Sequence, residues 1–342
     1  MIWLTLRQFR VQAAIMGGAL VALAALLALT GPGMADDYDR GIAACEAGGD
    51  CAVFTRQFFD DHQALYQTLV AALMCLPGAI GLFWGAPLIT RELETGTHRL
   101  VWNQTITRTR WLVVKLGLVG LTATVSGALA GLMLSWWAGP LEKAGAEQFP
   151  RMTPLMFDSR GIVPLGYAMF GFVLGVTAGV LLRRTLTAMA VTLAVFVAVQ
   201  LAVPAWIRPY YIPAKVTVTK MTSENIEGLM FTDRREVKVR LKQEPGIWEL
   251  SSRTIDSSGR AVSSLPSSLA TGACAPPTRA GNAANAKERC FSEITRLGYR
   301  QKLTFQPAGR FWPFQWIETG LFLVLSAALT AFCFYWTRRR VS

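Results

Sequence analysis

Apolar residues gather into six runs, at positions 11–29, 65–89, 111–137, 162–182, 185–207 and 314–336, and most of the charge lies between them. A hydrocarbon core about 30 Å thick needs about 20 helical residues at about 1.5 Å each, and every run meets that length. The pattern predicts an all-α polytopic membrane protein with six transmembrane helices. Composition agrees: 52% of residues are hydrophobic and only 16% are charged, less charge than a soluble chain of 342 residues carries.

Basic residues next to the spans set the expected orientation. Arg7 and Arg10 precede span one, while Arg91, Arg99, Arg108, Arg110 and Lys115 lie between spans two and three or just inside the latter. Arg183 and Arg184 join spans four and five, and Arg338, Arg339 and Arg340 follow span six. If every run crosses, all four clusters share one side. We read that side as the cytosol, with both termini on it and the chain in the plasma membrane. Arg7, Arg10 and Gly33-Met-Ala35 also resemble a signal peptide, but the apolar core between them exceeds the usual length of about 7–15 residues, which favours a retained helix.

The other side receives segments 30–64, 138–161 and 208–313. The last carries 17 Lys plus Arg against 9 Asp plus Glu over 208–310, and long translocated segments are largely exempt from the positive-inside bias. Within it, Glu236-Val-Lys-Val-Arg-Leu-Lys242 alternates strictly and predicts a half-buried strand. Lys215-Val-Thr-Val-Thr219 and Arg300-Gln-Lys-Leu-Thr-Phe305 predict two more, and 286–297 a short helix after a Ser/Gly/Pro-rich loop. The expected organisation is residues 1–207 with five helices and a connecting segment at 90–110, an extracellular α+β domain at 208–312 inserted between helices five and six, and 313–342 with the sixth helix and a basic tail. On that side the basic surface reads as a solvated face or a contact for anionic lipid head groups or wall polymer, with no nucleic acid.

Cys45 and Cys51 share one external segment and Cys274 and Cys290 the other, so the even pairs predict two disulfides. Cys75 and Cys333 lie in spans as apolar fillers. Neither external pair has the close His companions of a metal site.

The charged connector between spans two and three is the most informative segment. Thr90 can cap a helix whose first turn holds Glu92 and Glu94, Gly96 can break it, and Thr107 can cap span three, with Trp111 as an interfacial anchor. The stretches Phe83-Trp-Gly-Ala-Pro-Leu88, Arg91-Glu-Leu-Glu-Thr-Gly-Thr97, Thr107-Arg-Thr-Arg-Trp111 and Lys115-Leu-Gly117 together resemble permease subunits of ATP-binding cassette exporters of the type-two membrane family, in particular a group common in high-GC Gram-positive bacteria. Phe157-Asp-Ser-Arg-Gly161, Arg183-Arg-Thr185 and Arg310-Phe-Trp-Pro-Phe-Gln-Trp-Ile-Glu-Thr-Gly320 extend the likeness over most of the chain.

The resemblance implies a coupling helix that docks on a separate ATPase, with Glu92, Glu94, Gly96, Thr97, His98 and Arg99 as docking residues. It also implies two permease copies on an ATPase dimer, with ATP and Mg bound by the partner, and a hydrophobic or amphipathic cargo such as a drug, antibiotic, peptide or lipid. This chain has no G-x-x-x-x-G-K-[ST] loop of its own. It also lacks H-E-x-x-H and G-x-S-x-G motifs, and its two histidines, His62 and His98, are expected on opposite sides, so an enzyme is not expected. Glu318 and Gln200 are candidate pathway residues, weighed against an interfacial and a helix-packing role respectively. Gly171, Gly175 and Gly179 predict a close helix contact, and Pro77 and Pro204 predict kinks. The alternative function is a membrane-anchored receptor whose extracellular domain binds a ligand.

Overall fold

The computed structural model describes residues 2–47, 51–96, 107–145, 150–231, 237–262, 265, 269, 272–275 and 283–340. The chain forms two compact units, Met1–Tyr211 with Gly309–Ser342, and Ile212–Ala308. Six helices of the first unit are long and apolar enough to cross a membrane.

Span one is α1 (Ile2–Glu46). Span two is α2 (Ala52–Ile80), a π-helical turn at Gly81–Gly85 and α3 (Ala86–Glu94) in one continuous rod. Span three is α4 (Arg108–Trp137), followed by the short helices α5 (Gly139–Ala144) and α6 (Pro154–Asp158). Spans four and five are α7 (Val163–Leu182) and α8 (Thr185–Ala202), the latter running into a second π-helical turn at Val203–Ile207. Both π turns lie close to the expected kinks: Pro77 shortly precedes the first and Pro204 lies in the second, and neither proline can donate to the helix ladder.

The central helix is α7, against which α2, α3, α4 and α8 all pack. Its glycines make that possible. A Cβ on Gly175 would stand 2.3 Å from the Gly81 carbonyl oxygen, and one on Gly171 2.5 Å from that of Pro77; a Cβ on Gly85 would stand 2.2 Å from the Phe172 oxygen. Span four and the π turn of span two therefore meet backbone to backbone, so the small-residue stripe is used within the chain.

Segment 30–64 was expected outside the membrane, yet α1 and α2 continue through nearly all of it as a helical hairpin. Asp36 and Asp37 sit on α1, Asp60 and Asp61 on α2, rather than in loops. The hairpin holds because Met34, Phe58, Phe59 and Tyr66 bury their side chains with Leu134, Trp137 and Met156. The Cys45–Cys51 disulfide closes its tip.

The second unit is α+β. Strands β1 (Lys215–Lys220), β4 (Trp248–Ile255), β5 (Ala261–Val262) and β6 (Arg300–Gln306) form an antiparallel sheet in the order β1-β6-β4-β5, with Val218 opposite Lys302 and Trp248 opposite Gln306. Strands β2 (Ile226–Phe231) and β3 (Val237–Leu241) make a separate two-stranded sheet. Helix α9 (Ala283–Arg296) contributes Phe291 and Ile294 to a core with Val239 and Leu241, and the Cys274–Cys290 disulfide lies in that core. Span six, α10 (Phe311–Arg340), completes the first unit and packs along α7.

Candidate functional site

The connector after span two differs from its expected form. Thr90 is not a cap: it is fully buried inside the rod, and its hydroxyl donates to the Ala86 carbonyl. Glu92 and Glu94 thus sit in the last turn of α3, where the helix dipole does not favour them. Other groups hold them. Glu92 Oε1 accepts from Lys115 Nζ at 2.5 Å and from Gln8 Nε2 at 3.3 Å, and its Oε2 accepts from Trp111 Nε1 at 3.1 Å. Glu94 accepts from the Thr185 backbone N–H at 2.7 Å and from the Thr185 hydroxyl at 2.6 Å, satisfying donors at the start of α8.

Two carboxylates of one helical turn are therefore tied to spans one, three and five. Trp111, expected at the interface, is 2% exposed because its indole N–H serves Glu92. Gly96 ends the rod in a left-handed conformation, φ +70°, as its position suggested. Thr107 caps span three by accepting from the Arg110 N–H. Arg91 is exposed on the same turn. Thr97, His98 and Arg99 lie outside the described residues.

A second constellation sits at the opposite ends of the spans, away from the connector. Arg208 follows the π turn of span five, Glu318 lies two turns into α10, and Asp158 ends α6. Arg208 Nε meets Glu318 Oε2 at 2.7 Å and its Nη2 meets Oε1 at 2.6 Å, while Nη2 also pairs with Asp158 Oδ1. The Tyr167 hydroxyl donates to Glu318 Oε1 at 3.1 Å, and the Phe157 ring lies 4.3 Å from the guanidinium carbon. The exposures of the three charged side chains are 0–1%, so the interfacial role weighed for Glu318 gives way to a buried ion cluster.

Gln315, one turn before Glu318, accepts from the Ile162 and Val163 N–H groups and donates to the Phe157 carbonyl, fixing the start of α7. Gln200 donates to the Met74 carbonyl at 3.3 Å, a bond between spans five and two. Lys115, Asp158 and Arg208 were not singled out from the sequence as site residues. Their signal was a charge at the edge of an apolar run with a complementary charge in another segment.

No curated protein and no solved structure matches the chain. The profile of the family described as "ABC-2 membrane transporter related" matches residues 17–208, more than half of the sequence. That region runs from within span one through span five and includes the connector and both π turns. The chain is a multi-pass membrane protein and belongs to the ABC-2 membrane transporter related family.

Proposed function

We propose that this chain is the permease subunit of an ATP-driven exporter, with connector 90–110 as the part that engages a separate ATPase. Permeases of this family generally work with an ATPase partner. The observation that carries the reading is the clamping of Glu92 and Glu94 onto spans one, three and five. A motor pushing on this turn would move three spans together rather than bend a loop. Arg91 then docks on the ATPase with the expected docking residues Thr97, His98 and Arg99 beyond Gly96, and Glu92 and Glu94 carry the displacement inward.

In this reading the basic span ends face the cytosol, the inserted α+β unit is extracellular, and two copies pair on an ATPase dimer that binds ATP and Mg. Cargo is hydrophobic or amphipathic, since the helices offer mainly apolar faces with a few polar groups such as Gln200. Glu318 serves by holding one end of the spans closed.

Capture tests the assignment. The ATPase encoded beside the gene is co-expressed with wild type and with Arg91→Glu, a change that leaves the Glu92 and Glu94 bonds in place. Retention by wild type and loss with the variant are expected; failure to retain any candidate ATPase contradicts the reading.

One observation favours a receptor as the second reading. The inserted unit has a cleft of about 730 Å³ lined by Arg240, Gln243, Glu249, Arg253 and Gln301, polar enough to bind a ligand.

A further inference from the structure

The ion cluster at the ends of spans four, five and six does not balance. Asp158 and Glu318 bring two negative charges to the single positive charge of Arg208, and none of the three side chains is more than 1% exposed. A net charge held away from water is strongly disfavoured, and a carboxyl group escapes that cost by taking up a proton.

The two carboxylates are not equivalent. Glu318 receives the guanidinium through both Nε and Nη2 and also the Tyr167 hydroxyl. Asp158 has Nη2 alone, shared with Glu318, and its buried Oδ2 has no hydrogen-bond partner. A proton on Oδ2 would cancel the excess charge without displacing an existing bond. The buried hydroxyl of Thr319, next to Glu318 in sequence, also lacks a partner, and Tyr211 faces Glu318 from just beyond Arg208.

We propose that Asp158, Arg208 and Glu318 form a proton-binding site, with Asp158 Oδ2 as the acceptor, occupied while these helix ends are closed together and emptied when water reaches them. The proton comes from solvent and returns to it, and no electrons move. The groups facing Asp158 are Arg208 from the end of span five, Glu318 from span six, Tyr167 from span four and Tyr211 just beyond Arg208. Burial raises the Asp158 pKa most, Arg208 lowers it and Glu318 raises it again, leaving it at about 7.

A carboxyl whose pKa is raised in the closed arrangement favours that arrangement in acid. The advantage is complete below the ordinary value of 3.8 and lost as pH rises through about 7. Opening near neutral pH then releases up to one proton per chain. This inference goes beyond the exporter reading and requires neither cargo nor ATPase.

Infrared spectra of the purified chain in lipid nanodiscs, titrated from about pH 5 to about pH 9, test it. A protonated-carboxyl band that disappears with a midpoint near 7 is expected. It should vanish in Asp158→Asn. In Glu318→Gln the midpoint should fall by about one pH unit, a tenfold loss of proton affinity, because a raising charge is gone. Should Asp158→Asn fail to insert, the Glu318→Gln shift carries the assignment. No titrating band in wild type, an unchanged midpoint in Glu318→Gln, or a midpoint that follows sodium concentration would overturn the proposal, the last by making the site one for a metal cation.

Discussion

Arg208 and Glu318 meet through two parallel contacts, Nε to Oε2 and Nη2 to Oε1, across 110 residues of chain. Arg208 lies shortly before Ile212, where the inserted unit begins, and Glu318 lies two helical turns into the span that follows its end at Ala308. The pair therefore joins the end of span five to the second turn of span six.

Removing one partner should be far worse than removing all the charge. Arg208→Met leaves two buried carboxylates facing each other and should cost about 3–5 kcal/mol, as loss of one member of a buried pair does. The combination Arg208→Met, Asp158→Asn and Glu318→Gln should recover most of that loss. Thermal unfolding in nanodiscs ranks the variants, and equal losses would show that the cluster acts through shape rather than charge.

Gly175 offers a packing test. A Cβ there would meet the Gly81 oxygen at 2.3 Å and the Ala86 nitrogen at 2.7 Å, both backbone atoms that cannot swing aside. Gly175→Ala should cost about 1–3 kcal/mol by overpacking. Gly117→Ala, where nothing lies within 4 Å, should be neutral or slightly stabilising. Thermal unfolding of the two variants should differ in sign or size accordingly.

Reduction should add four hydrogens to the intact mass, two for each disulfide. Opening Cys274–Cys290, 16 residues apart, should destabilise the inserted unit by about 3 kcal/mol, whereas the separation of 6 at Cys45–Cys51 closes a smaller loop and should matter less. Cys75 and Cys333 both lie in spans, so neither should react readily with a water-soluble alkylating reagent in nanodiscs before reduction.

Six spans and an α+β insertion were legible because length and alternation are properties of short windows. Strands β1, β3 and β6 and helix α9 fall within a few residues of their expected places for that reason. Strands β2, β4 and β5 were missed, since Ile226–Phe231 includes a glycine, Trp248–Ile255 alternates poorly and Ala261–Val262 is only two residues long. The helical hairpin beyond spans one and two is not predicted within segment 30–64, because Asp36, Asp37, Asp60 and Asp61 interrupt its apolar run. Its buried positions repeat with a helical period rather than continuously.

At the candidate site, Glu92, Glu94, Gly96 and Glu318 were found as residue types, but their partners were not. Lys115 lies 23 residues from Glu92, Thr185 lies 91 from Glu94, and Arg208 lies 110 from Glu318. Such pairings are set by packing of whole spans on α7. The same limit explains why Thr90 looked like a cap: only the continuous rod of span two shows that its hydroxyl is already used.

The central claim is that the connector transmits force from an ATPase to the spans through Glu92 and Glu94. ATP turnover and cargo efflux, measured together in proteoliposomes holding the permease–ATPase complex, compare wild type with the Glu92→Gln/Glu94→Gln pair. The variant should still bind its ATPase and hydrolyse ATP while efflux per ATP falls at least tenfold. Efflux per ATP equal to wild type would contradict the claim.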